Sequence, residues 1–128
     1  GIVSSLNKGQ KCFGTVVLKG AENININISN FFNIQMKKKL NKQFILSHDY
    51  HFGGYAKNNV KLIEFIKEFY QVTGIKTDPI YSGKLFYSLI DQLRTKSMFK
   101  NKTIIALHSG GISGIKGFEK RYGIKIFN

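Results

Sequence analysis

Three short stretches hold most of the side chains with which this chain could do chemistry: "SHDYHFGGYAK" (47–57), "DPIYSGK" (78–84) and "HSGGISG" (108–114). Each combines glycine with a hydroxyl, supplied by Tyr55, by Tyr81 and Ser82, and by Ser109. Carboxylates are scarce, because only Asp49 and Asp78 lie in these stretches, so paired-carboxylate hydrolysis is poorly supplied. No Ser-His-Asp order with a nucleophile elbow can be read. His48 and His51 stand three apart with no third ligand in view, which argues against a metal site. Taken singly, every piece has a plain structural use. Paired glycines make a tight turn, a serine beside them caps a helix, tyrosines pack with their hydroxyls at the surface, and His108 reads as a hydrogen-bonded core histidine. The glycine spacing matches neither the Rossmann nor the P-loop pattern. Taken together, hydroxyls and backbone amides in three glycine-bearing loops suit a bound organic cofactor.

The loops need elements to carry them. "KCFGTVVLKG", "KQFILSH" and "KTIIALH" read as strands buried on both faces. Apolar residues at Leu62, Ile63, Ile66, Phe69 and Tyr70 predict a helix over 58–73, with Asn58 or Asn59 as N-cap and Gly74 just past its end. A second helix is predicted over about 83–96 with Leu85, Phe86, Leu89, Ile90 and Leu93 on one side, and a terminal helix over 112–122. Residues 1–9 read as the last turns of a helix stopped by Gly9, and 21–40 as loop then helix, with Ile24, Ile28, Phe31 and Phe32 on one face. Pro79 pushes Asp78 toward extended geometry. Strands alternating with helices predict an α/β fold, a parallel sheet with flanking helices, whose chemistry sits at the carboxyl ends of the strands.

Composition narrows the class. With 128 residues and 42% hydrophobic content the chain suits one ordinary core. Its apolar runs fall far short of the ~20 residues needed to span a bilayer, so no membrane partner is expected. The single cysteine, Cys12, has no partner for an internal disulfide and reads as a strand thiol, consistent with a cytoplasmic protein. The formal charge of +13 comes from 18 lysines and 2 arginines spread along the chain, with only Lys37, Lys38 and Lys39 in a run. That distribution reads as a solvated surface, and no nucleic acid is expected as a partner. A non-catalytic basic module binding nucleic acid stays as the alternative from another class.

"DYHFGGYAK", "DPIYSGK" leading into a helix, and "IIALHSGGISG" stand in the order and spacing that resemble the pyridoxal-phosphate-dependent family joining D-cysteine desulfhydrases with 1-aminocyclopropane-1-carboxylate deaminases. The resemblance runs from "GIVSSL" through "VVLKG" to "HSGGISG". It implies a fold type II enzyme, with residues 1–128 as the C-terminal part of its large domain. In such enzymes a Schiff-base lysine and a glycine-rich phosphate loop lie earlier in the chain. None of the 18 lysines matches the Schiff-base motif, so the resemblance implies a piece that is inactive by itself.

Carried over by position, Tyr55 matches the tyrosine facing cofactor and substrate, and Tyr81 a second catalytic tyrosine near the substrate's reacting carbons. A phenol of ordinary pKa ~10 can donate a hydrogen bond, or relay a proton if its site lowers that value. Ser109 matches the hydroxyl residue set against the pyridine nitrogen of pyridoxal 5'-phosphate, while Gly110 and Gly111 would let the backbone pass close to the ring. Ser82, expected with Ser109, Gly110 and Gly111 among the cofactor-binding residues, and Ser109 stand where the cyclopropane deaminases resemble a pattern of glutamate and leucine, and small hydroxyl residues there favour the desulfhydrase branch. The expected activity is β-elimination on a small amino acid, with cyclopropane deamination as the alternative, and the full-length enzyme is expected to be a homodimer.

Overall fold

The computed structural model describes residues 1–30, 38 and 42–127. Phe31, Phe32, Lys37 and Lys39, named above, lie outside the described residues. The sheet is parallel and small: β1 (Cys12–Thr15) pairs with β2 (Phe44–Ser47), Cys12 opposite Phe44 and Thr15 opposite Ser47. Gly14 permits that approach, since a Cβ there would stand 2.7 Å from Leu46 Cδ2. One further bond, from the Val16 amide to the Ser47 carbonyl at 2.9 Å, extends the ladder past its carboxyl end. Both strands are half-buried along their whole length rather than buried on both faces, because two strands are too narrow to be covered like the centre of a wide sheet. Burial still pushes the Cys12 thiol above its ordinary value, in keeping with an unreactive strand cysteine.

Short helices precede and follow β1. Helix α1 (Ile2–Ser5) ends at extended Leu6, earlier than Gly9, which instead takes φ +90° in the following turn. Helix α2 (Ile24–Asn30) follows the loop after β1. Helix α3 (Val60–Thr73) starts at Asn59, whose side chain accepts the Leu62 N–H at 2.9 Å, and stops at Gly74 with φ +70°, as the sequence predicts. Its Leu62 and Ile66 are fully buried and form a core with Ile115, Phe118 and Ile126. Helix α4 (Ser82–Thr95) packs on α3 through ring pairs, Phe65 with Tyr87 at 5.1 Å and Phe69 with Phe86 at 5.0 Å. A 3-10 turn over Ile112–Gly114 opens helix α5 (Ile115–Tyr122).

Two expectations change. The run 102–108 is not a strand here: among the described residues the sheet has only β1 and β2, and residues 102–111 belong to no regular element. A strand exists only through a ladder to a neighbour, and without one Ile105 is 91% and Leu107 58% exposed. On α4, Leu93 is exposed, whereas Lys84, Ser88 and Gln92, spaced by four, are all buried. This polar stripe is satisfied internally, with Gln92 Nε2 donating to Ser88 Oγ at 2.8 Å. Among the described residues no helix is long and apolar enough to cross a membrane.

Candidate functional site

β2 empties directly into the loop carrying the first tyrosine. Over 52–56 the backbone is largely left-handed, with φ of 53° at Phe52, +93° at Gly53, +119° at Gly54 and 54° at Ala56. Two successive turns result, closed by the Gly54 amide on the His51 carbonyl at 3.0 Å and the Lys57 amide on the Gly54 carbonyl at 3.2 Å. Tyr55 sits in the second turn and is about half exposed. His51 belongs to the first turn, where its Nδ1 accepts the Gly53 amide at 2.9 Å. Among the described residues no three His, Cys, Asp or Glu side chains gather in a way that could hold a metal ion.

The second loop is organised by Asp78. Its carboxylate accepts the N–H groups of Ile80 at 2.8 Å, Tyr81 at 2.7 Å and Ser82 at 2.9 Å, so it caps the start of α4. The Ser82 hydroxyl donates to the same carboxylate and accepts the Asp78 N–H at 2.8 Å. Ser82 is 3% exposed, so in this structure its hydroxyl closes the cap beneath Tyr81 and does not face an open space. Tyr81 projects from the cap, half exposed, and meets Tyr55 edge-on with ring centroids 5.9 Å apart. Hydrogen bonding to the Tyr55 side chain, followed by desolvation, raises the Tyr81 hydroxyl above the ordinary tyrosine value. The shift runs opposite to the lowering a proton relay would need: Tyr81 remains a protonated donor at neutral pH.

The third loop is tied to the second. His108 Nδ1 accepts the Gly110 amide at 3.1 Å, which leaves its Nε2 hydrogen to donate to the Lys76 carbonyl at 2.8 Å. His108 is thus hydrogen-bonded as expected, but half-buried rather than in the core. Gly111 lies against the cap itself, for a Cβ there would stand 2.6 Å from Asp78 Oδ2. Gly110, at φ +100°, has nothing within 4 Å of where a side chain would begin. Ser109 is exposed beside it. The structure therefore links Tyr55 to Tyr81 by ring contact, and Gly111 to the Asp78 cap on which Tyr81 stands.

Two further groups escaped the sequence reading. The first is Lys84, fully buried, whose Nζ donates to the His51 carbonyl at 2.8 Å and the Gly54 carbonyl at 2.7 Å. Desolvation lowers this amine to about 8, against the pull of the Asp78 charge in the other direction. The second is Tyr50, whose hydroxyl donates to Asp91 Oδ2 at 2.8 Å and is pushed up to about 12 by burial and by that carboxylate. The spacing of Lys84, Ser88 and Gln92 was a visible signal for the first, a polar stripe at helical period on a helix that must pack. Nothing local announces the second, because its partners lie 41 residues apart.

The described geometry holds two phenols meeting edge-on, an exposed serine hydroxyl, and a left-handed glycine with open space where a side chain would begin. Comparison with known proteins finds partial relatives. The chain is 36% identical over 63 residues to a mitochondrial bifunctional D-cysteine desulfhydrase/1-aminocyclopropane-1-carboxylate deaminase of Arabidopsis thaliana, covering 48% of this chain and 16% of that protein. It is 32% identical over 84 residues to a D-cysteine desulfhydrase of Klebsiella pneumoniae, covering 66% of this chain and 24% of that protein. The chain thus spans a quarter or less of the length of these curated relatives. No family model matches it, and no solved structure does. The resemblance to that family is therefore shown at the level of homologous sequence over part of the chain.

Proposed function

We infer that this chain is part of a pyridoxal-phosphate enzyme of the D-cysteine desulfhydrase/1-aminocyclopropane-1-carboxylate deaminase family, forming the C-terminal part of a fold type II large domain. The activity proposed for the whole protein is β-elimination: D-cysteine and water give pyruvate, ammonia and hydrogen sulfide. The observation that supports the reading is the edge-on pair of Tyr55 and Tyr81, with Gly111 of the third loop against the Asp78 cap beneath Tyr81. Pyridoxal phosphate, when bound, supplies an electron sink that acidifies the Cα–H bond of an amino acid. This chain's residues would hold and orient around it. Tyr81, kept protonated, would turn its one O–H from Tyr55 to the departing sulfur, while the Tyr55 ring packs against its own. Ser109 would offer a neutral hydroxyl to the pyridine nitrogen, where a carboxylate would hold a proton. A readily departing thiolate needs less carbanion stabilisation than ring opening, so a serine suits elimination. Gly110 leaves room for the ring edge.

The Schiff-base role is assigned to no lysine of this chain, and the whole protein's substrates and dimeric state are part of the same proposal. The test is an assay of the full-length protein for sulfide and pyruvate from D-cysteine. Activity should appear with added pyridoxal phosphate and fall by about 10²-fold or more in Tyr81→Phe. Release of 2-oxobutyrate from 1-aminocyclopropane-1-carboxylate, without sulfide from D-cysteine, would move the assignment to the deaminase branch, which the double name of the Arabidopsis relative keeps in play. Neither product, together with no visible absorbance from protein-bound cofactor, would overturn it.

A further inference from the structure

We propose that Lys84 is a positioning residue for the tyrosine pair: its buried ammonium locks the two successive turns, the second of which carries Tyr55, while α4, on which it stands, begins directly after Tyr81. This deepens the functional reading above and rests on it for its meaning, but not for its test. Three observations support it.

The first is where the two hydrogen bonds go. The His51 and Gly54 carbonyls are the acceptors that close the turns 51–54 and 54–57, and each takes a second donor from Lys84 Nζ. One side chain therefore reinforces two consecutive turns at their junction, and Tyr55 follows that junction by one residue. The second is that these turns need reinforcement. Phe52 and Ala56 both hold left-handed backbone without being glycine, a conformation that ordinary L-residues disfavour. The third is geometric economy along α4. Tyr81 and Lys84 lie three residues apart at the helix start, so one rigid element sets the phenol and clamps the loop that brings the second phenol to 5.9 Å.

Lysine is suited to this task because an ammonium has donors only, and hydrogen bonds from a charged donor to buried carbonyls are the strong kind. The same burial disfavours the charge, which is the cost visible in its lowered titration. A fully buried lysine with no role at the loop would be replaced more favourably by an apolar residue of its own length.

The experiment uses the full chain without cofactor. In Lys84→Met, which keeps the stem and removes the donors, amide hydrogen exchange at Gly54 and Lys57 should quicken at least tenfold while the amides of 64–73 in α3 hold their rates. Ultraviolet titration, with Tyr81→Phe to identify the signal, should show the Tyr81 hydroxyl returning toward the ordinary tyrosine value in the same variant. Lys84→Arg, which restores donors, should recover part of both effects. A folded Lys84→Met chain with parental exchange at 54 and 57 and an unmoved Tyr81 would overturn the proposal. Should Lys84→Met not fold, the parent chain decides by amine acylation. Lys84 should label far more slowly than Lys57 and Lys67, and labelling at their rate would overturn the lock. Failure of the enzyme assay would leave all these readouts standing, so the two proposals fall separately.

Discussion

Gly110 and Gly111 share a left-handed backbone, at φ +100° and +93°, yet only one of them has a neighbour. Alanine at either position meets the same torsional penalty, about 1 kcal/mol. At 111 the new methyl must also displace the Asp78 carboxylate, 2.6 Å away, and with it a cap that serves three backbone N–H groups. Gly111→Ala should therefore destabilise the chain by ~2 kcal/mol more than Gly110→Ala in urea melts, and the two losing equal stability would refute the contact. The sequence made the pair visible and assigned both glycines to ring clearance. It could not divide them, because the difference depends on an aspartate 33 residues away. Ser82 illustrates the same limit: its type suits a ligand hydroxyl or a cap, and only the placement of Asp78 shows which role it fills here.

At the scale of elements, legibility follows how local the cause is. Helix α3 is written into its own residues: an Asn59 cap, an apolar period and a glycine beyond the last turn. Asn59→Ala should cost ~1 kcal/mol, seen as a lower urea midpoint with an unchanged slope, because the Leu62 N–H loses its acceptor. The buried stripe of α4 is less legible, since Lys84 is internal only because two carbonyls some thirty residues upstream meet it there. The run 102–108 is least legible of all. Its apolar pattern is that of a strand, and whether it becomes one is decided by a partner that its own residues do not specify.

For the whole molecule, the two-stranded sheet and the helices divide the work: β2 delivers the first loop, and the start of α4 anchors the second. The net charge of +13 keeps copies apart at low salt, where like charges repel over the Debye length. Against that repulsion stands the bare stretch around Ile105, apolar side chains outside any regular element and open to solvent. Raising the salt concentration removes the repulsion and leaves the attraction, so light scattering should rise with salt and with protein concentration, and Ile105→Lys should suppress it. Parental scattering in that variant would place the adhesive surface elsewhere. The expected solubility of this chain thus follows ionic strength, and a purification that exchanges it into high-salt buffer should select for its own precipitate.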